Sequence, residues 1–119
     1  MTDGVQVSVI IPAYNESASI ENVISQVVST LEDTGETFEV LVIDDGSDDG
    51  TPTLAEEAGA TVIHHPYNIG NGAAIKTGIR RARGETLLMM DGDGQHDPRD
   101  IPRFLAALGT YDMVVGARN

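Results

Sequence analysis

The chain has 119 residues, 40% of them apolar, with no cysteine and a formal net charge of −12 from seven Lys and Arg against nineteen Asp and Glu. That length suits one domain with a modest core, and the missing cysteine excludes a disulfide framework, a thiolate metal site and a thiol nucleophile. The charge repels polyphosphate backbones and anionic headgroups, which argues against nucleic-acid binding.

No run approaches the roughly eighteen apolar residues of a membrane span. Residues 1–6 lack the basic start and apolar stretch of a signal peptide, so a cytoplasmic location is expected.

Val7 to Ile11 is a β-branched apolar run bounded by Pro12, which predicts a buried strand. Ile20, Val23, Ile24, Val27, Val28 and Leu31 recur at helical spacing and predict one buried helix face, with Ser17 as its cap. Phe38 to Ile43 is a second strand. Thr51 is placed as the cap of a second helix, with Pro52 at its first position and Gly59 ending it.

Thr61 to His64 predicts a third strand. Gly72 to Arg83 predicts a helix stopped by Gly84, with Ile75, Ile79 and Ala82 inward. Thr86 to Met90 is a fourth strand. Asp97 and Pro98 open another helix with Ile101, Phe104, Leu105 and Leu108 on its inner face, and Met113 to Val115 is a fifth strand.

Strand–helix alternation of this kind predicts a single α/β domain over 1–119: a mainly parallel sheet, order 3-2-1-4, with helices on both faces. The sequence stops soon after the fifth strand. More polypeptide or a partner chain is therefore expected to complete the sheet, and self-association is expected from an exposed edge.

All strand C-termini of a parallel sheet lie on one edge, where ligands bind. Polar or glycine-rich segments follow each strand: Pro12-Ala13-Tyr14-Asn15-Glu16, Asp44 to Gly50, Asn68 to Gly72, Asp91 to Asp97, and Gly116 to Asn119. The opposite edge carries ordinary turns. In Asp91-Gly92-Asp93-Gly94-Gln95, two carboxylates and an amide oxygen are hard ligands suited to Mg²⁺ or Mn²⁺, and the glycines allow close backbone approach.

A solvated acidic turn is the plain alternative for that segment and for Asp44 to Gly50. An EF-hand fails, because His96 and Pro102 stand where the loop's glycine and bidentate glutamate belong. An acid after the second strand often contacts a ribose. A dehydrogenase is disfavoured, because the first strand is not followed by GxGxxG. His64 and His65, adjacent and facing opposite ways, read as a strand end rather than as metal ligands.

Together PAYNE, DDGSDDGT, NIGNGAAIKTG and DGDGQHDP, in this order, resemble the inverting family 2 glycosyltransferases, most closely the dolichyl- or polyprenyl-phosphate sugar transferases. The resemblance covers Val7 to Asn119. It implies a Rossmann-like GT-A fold, the donor-binding half of a metal-dependent enzyme that moves a sugar from a UDP- or GDP-sugar to an acceptor such as a polyprenyl or dolichyl phosphate, at the cytoplasmic face of a membrane.

By the same resemblance, Pro12, Ala13, Tyr14 and Glu16 line the base and ribose pocket, and Asp44 hydrogen-bonds the base. Asp91, Gly92, Asp93 and Gln95 form the diphosphate motif, with Asp91, Asp93 and Gln95 on the metal, and Arg118 reaches the donor phosphates. Asn71 stands where many relatives carry lysine. The acceptor site and any general base lie past the last residue.

The rival readings are a nucleotide-sugar-binding module without turnover, a sugar-phosphate nucleotidyltransferase, and a dehalogenase-like phosphatase. The second would carry a glycine- and arginine-rich first loop, and the third would place its DxD on the first strand.

Overall fold

The computed structural model describes residues 4–90 and 113–115. The elements are β1 (Val7–Ala13), α1 (Ile20–Thr34), β2 (Phe38–Asp44), α2 (Thr51–Glu57), β3 (Thr61–His64), α3 (Asn71–Arg81), β4 (Thr86–Met89) and β5 (Met113–Val115). The predicted helix opened by Asp97 lies outside the described residues.

The five strands form one sheet in the order β3-β2-β1-β4-β5, with every neighbouring pair parallel. The expected order 3-2-1-4 is found, extended by β5. Helices lie on both faces, as expected. On one face Val7, Val9, Ile11, Val40, Val42 and Leu88 pack against the buried stripe of α1 and against Ala55 of α2. On the other, Ile10, Leu41, Ile43 and Met89 pack against Ala74 of α3. The chain moves outward from β1 to β2 and β3, then crosses back over the second face to β4. The direction therefore reverses between β1 and β4, which is where such folds bind ligands.

β1 runs two residues past its expected end, through Pro12. Asp45 N–H donates to the Ala13 carbonyl, so the backbone at Ala13 faces β2 and the backbone at Pro12 faces the β4 side. Pairing with β4 ends at Ile10↔Met89, so the N–H that proline lacks belongs to no described ladder. Pro12 and Ala13 are thus the buried end of a strand, and the first loop begins at Tyr14.

Three helix starts or faces differ from expectation. Ser19, not Ser17, stands at the N-cap of α1, without a side-chain cap bond, and the Ser17 N–H donates to Asp49 Oδ2 at 3.3 Å. Gly50, not Thr51, stands at the N-cap of α2, because the Thr51 hydroxyl is bound to Asp49 and to the Glu16 N–H. The inner face of α3 is Ala74 and Gly78, with Ile75 and Ala82 partly buried, while Ile79 is exposed.

The last difference has a steric cause. A Cβ on Gly78 would lie 2.4 Å from Ile10 Cγ2, so α3 sits on β1 through its small residues and has no room for a branched chain there. α3 also ends early, at Arg81. The Arg83 and Gly84 N–H groups donate to Glu39 Oε2 and Ser8 Oγ instead of to helix carbonyls. Gly59 closes α2 as expected: at φ 105° it donates to the Glu56 carbonyl while Ala60 donates to Ala55, a Schellman arrangement.

Candidate nucleotide site

The residues after β1, β2 and β3 meet at one edge of the sheet, and side chains lock them together. Asn15 takes a left-handed conformation, φ 52°, which asparagine tolerates better than most residues. Its N–H donates to Ser47 Oγ at 2.8 Å, and its Oδ1 accepts from the Asp48 N–H at 3.0 Å. One residue further on, the Glu16 N–H donates to Thr51 Oγ1 at 2.9 Å.

Asp49 accepts from both the N–H and the hydroxyl of Thr51, and from Ser17 N–H. The Thr51 hydroxyl bond is the main cause that holds the Asp49 carboxyl at about 2. The PAYNE segment is therefore held in place by DDGSDDGT.

A second lock joins β2 to the β3–α3 loop. The Asp45 carboxylate is buried and accepts from His65 Nδ1 at 2.8 Å, Ile69 N–H at 3.0 Å and Gly70 N–H at 2.9 Å. His65 Nε2 meets Thr77 Oγ1 on α3 at 2.8 Å. Burial pushes the Asp45 carboxyl up, but these hydrogen bonds and the His65 charge outweigh it and hold it below the ordinary aspartate value. Gly46 completes the join: a Cβ there would lie 2.5 Å from the Tyr67 backbone carbon, and its φ is +81°.

Asp44 differs from its neighbour. It is 3% exposed, yet among the described residues its Oδ1 has no hydrogen-bond partner. Its Oδ2 lies 3.9 Å from His64 Nδ1. An unpaired buried carboxylate oxygen is costly, on the order of a few kcal/mol.

Of the residues expected at the site, Pro12 and Ala13 are buried at the end of β1. Tyr14 is exposed, Glu16 is half-buried, and Asp44 ends β2. Ala13, Asp44 and His64 stand side by side in register. Asp91, Gly92, Asp93, Gln95 and Arg118 lie outside the described residues, and Asp91 directly follows Met90, whose N–H donates to Ile10. Asn71 and Lys76 are exposed on α3. Among the described residues, no group of three or more His, Asp or Glu could hold a metal, and no helix is long and apolar enough to cross a membrane.

Sequence reasoning missed Asp45 and the separate fates of the two histidines. The signal was the doublet Asp44-Asp45 ending one strand and His64-His65 ending another, which become partners once β2 and β3 pair in register.

The chain is similar to known proteins in sequence and in fold. The chain is 38% identical over 120 residues to undecaprenyl-phosphate 4-deoxy-4-formamido-L-arabinose transferase of Aeromonas hydrophila, covering 95% of this chain and 37% of that protein. It is 38% identical over 124 residues to glycosyltransferase AglD of Haloferax volcanii, covering 97% and 20%. It thus spans little more than a third of the first of these relatives and about a fifth of the second.

The crystal structure of glucosyl-3-phosphoglycerate synthase from Mycobacterium tuberculosis superposes with a TM-score of 0.76 at 29% identity, over 92% of this chain and 42% of that one. The same enzyme in complex with Mn²⁺, UDP and phosphoglyceric acid superposes with a TM-score of 0.75, at 29% identity over 90% and 40%. Residues 8–119 match the model of glycosyl transferase family 2, and the chain belongs to that family.

Proposed function

We propose that this chain binds the donor of an inverting glycosyltransferase: a UDP- or GDP-sugar, held with Mg²⁺ or Mn²⁺, whose sugar passes to a polyprenyl or dolichyl phosphate at the cytoplasmic face of a membrane. The observation that carries the reading is the buried Oδ1 of Asp44 at the C-terminal edge of β2, unpartnered among the described residues. A nucleobase N–H is a donor of the right kind. Tyr14, exposed just past the end of the neighbouring strand, offers an aromatic ring to the same base.

The acceptor class follows from the A. hydrophila relative, whose name specifies an undecaprenyl phosphate. The metal and nucleotide follow from the M. tuberculosis enzyme, seen with Mn²⁺ or Mg²⁺ and UDP.

The donor set Asp91, Asp93 and Gln95 fits a hard divalent ion, since all three offer oxygen ligands. When bound, the ion supplies positive charge against the departing nucleoside diphosphate. Arg118 offers a guanidinium to the same phosphates. Asp44 and the first loop hold the nucleoside, so the sugar's anomeric carbon is fixed in orientation before reaction. Attack from the face opposite the diphosphate inverts the centre. A lipid phosphate arrives anionic and needs little help from a general base.

The test is calorimetric titration of UDP and GDP in Mn²⁺ against the chain and its Asp44→Asn variant. A loss of about tenfold or more is expected from removing a charged hydrogen-bond acceptor. Unchanged affinity would remove Asp44 from the site, and failure of both nucleotides to bind would overturn the donor reading.

A further inference from the structure

We propose that the outward face of α3 docks on an anionic phospholipid bilayer, through Lys76, Arg80 and Arg81 set around the exposed Ile79. The proposal takes only its membrane setting from the donor reading above and adds the surface that meets the membrane.

Its basis is a separation of charge across the sheet. Residues 1–75 contain no lysine or arginine, and residues 65–84 contain no aspartate or glutamate. Four of the chain's seven basic residues fall between Lys76 and Arg83. α1 and α2 cover one face of the sheet and α3 covers the other. Glu21, Glu32, Asp33, Glu56 and Glu57 are exposed on α1 and α2, which carry no basic residue. α3 carries basic charge alone, so the two faces have opposite sign.

Within α3, Ala74 and Gly78 are buried against the strands. Lys76, Ile79 and Arg80 recur at i, i+3 and i+4 on the opposite side, and all three are exposed. Arg81 flanks them at the helix end. Among the described residues no side-chain hydrogen bond or ion pair reaches Lys76, Arg80 or Arg81, whereas Arg83 is held by Glu39.

Basic residues in a last turn suit the helix dipole, which accounts for Arg80 and Arg81. It does not account for Lys76 in mid-helix, for the apolar Ile79 among the charges, or for the loop that opens α3. Tyr67 and Ile69 of that loop are also exposed, so residues 67–79 hold three of the four exposed large apolar side chains among the described residues. Positive charge interspersed with apolar and tyrosine side chains is the composition of a surface that rests on anionic headgroups. The repulsion from a net charge of −12 is screened over about 8 Å at physiological salt. The acids of α1 and α2 lie behind the sheet from α3.

The experiment is flotation of the chain with vesicles of equal parts phosphatidylcholine and phosphatidylglycerol, and with vesicles of phosphatidylcholine alone. Three surface cations and one apolar anchor correspond to half-binding at about millimolar lipid. Binding to the anionic vesicles should fall with added salt and be at least about tenfold weaker on phosphatidylcholine. Each cation is worth about fivefold, so Lys76→Gln/Arg80→Gln/Arg81→Gln should weaken binding about a hundredfold. Ile79→Ser should weaken it severalfold. Asn22→Glu/Gln26→Glu/Ser29→Glu, at exposed positions of α1, reaches the same net charge as the glutamine variant and should bind within about threefold of the wild type.

All these substitutions fall on exposed positions, and circular dichroism checks the fold. No binding to the anionic vesicles, equal binding to both compositions, or equal losses in the two triple variants would overturn the proposal. Nucleotide titration without vesicles reports the donor reading separately, and the glutamine variant should bind UDP or GDP as the wild type does. Failure of the wild type to bind either nucleotide would overturn the donor reading and leave the docking result standing.

Discussion

Replacing Asp45 by Asn tests the lock that builds this edge. The substitution keeps the shape and removes the charge. With its oxygen placed at Oδ1, the amide can still accept from His65 and from Ile69 N–H, but its NH₂ then faces the Gly70 N–H, donor against donor. One charge-assisted bond is lost, at about 1.5–3 kcal/mol, and the two that survive become neutral and weaker. Flipping the amide saves Gly70 at the expense of Ile69.

The expected total is a destabilisation of about 2–4 kcal/mol at neutral pH. With an m-value of about 2 kcal/mol/M, this lowers the urea midpoint by about 1–2 M. Hydrogen exchange should show the Ile69 and Gly70 amides losing protection before those of β1.

The pH dependence gives a second reading of the same bond. The folded-state Asp45 carboxyl lies below its ordinary value. Its contribution is therefore complete above the unfolded-state value near 4 and is lost as pH falls through the folded value. The gap between wild type and Asp45→Asn should narrow below about pH 4. A gap that stays constant from pH 7 to pH 3, or one under about 1 kcal/mol at pH 7, would refute the assignment of these three bonds.

Further expectations follow from other contacts. Gly78→Ala should destabilise by about 1–3 kcal/mol by denaturant titration, because the Ile10 clash exceeds the gain of about 1 kcal/mol in helix propensity; Gly72→Ala, with nothing near its Cβ, is the control and should not destabilise. Asn15→Ala should cost about 1–2 kcal/mol and Asn15→Gly less, since glycine restores the left-handed conformation but not the Asp48 bond; equal losses would place the whole effect in the bond. Asp93→Ala and Gln95→Ala should abolish the Mn²⁺ dependence of UDP binding with the circular dichroism unchanged, and equal wild-type affinity in Mn²⁺ and in excess chelator would refute the metal assignment.

The fold was largely legible because its signals are local and repeated. The α1 stripe, Pro52 and Gly59 each act within a few residues, and the apolar strands fixed which segments fill the sheet. What was not legible depends on partners far along the chain. Pro12 marks a strand end only if its missing N–H matters, and that depends on where β4 stops. Thr51 reads as a cap until Glu16, 35 positions earlier, claims its hydroxyl. Ile79 fits the helical pattern of a buried face, but the approach of α3 to Ile10 is set by Gly78. At the candidate site, the sequence pointed to the edge where the loops after β1, β2 and β3 meet, and to Asp44 at the end of β2. It could not separate Asp45 from Asp44 or His65 from His64, because their roles depend on strand register.

On the proposed reading, that separation lets so acidic an edge be both stable and receptive. Asp44, Asp45, Asp48 and Asp49 fall within six positions of a chain of charge −12. Left to repel one another, they would loosen the loop. Two are instead bound inward: Asp45 by His65 and two backbone amides, and Asp49 by Thr51 and Ser17. Both carry depressed pKa values and so remain ionised and bonded at neutral pH. Asp48 is exposed, while Asp44 is buried with no such bond among the described residues, and on the proposed reading Asp44 is the one left for the ligand. The mutational effects should then divide the same way. Loss of Asp45 should appear in the unfolding curve, with nucleotide binding weakened only as far as the loop loosens. Loss of the Asp44 charge should appear in the binding isotherm with little change in stability, because removing an unsatisfied buried charge costs the fold nothing that a hydrogen bond had supplied.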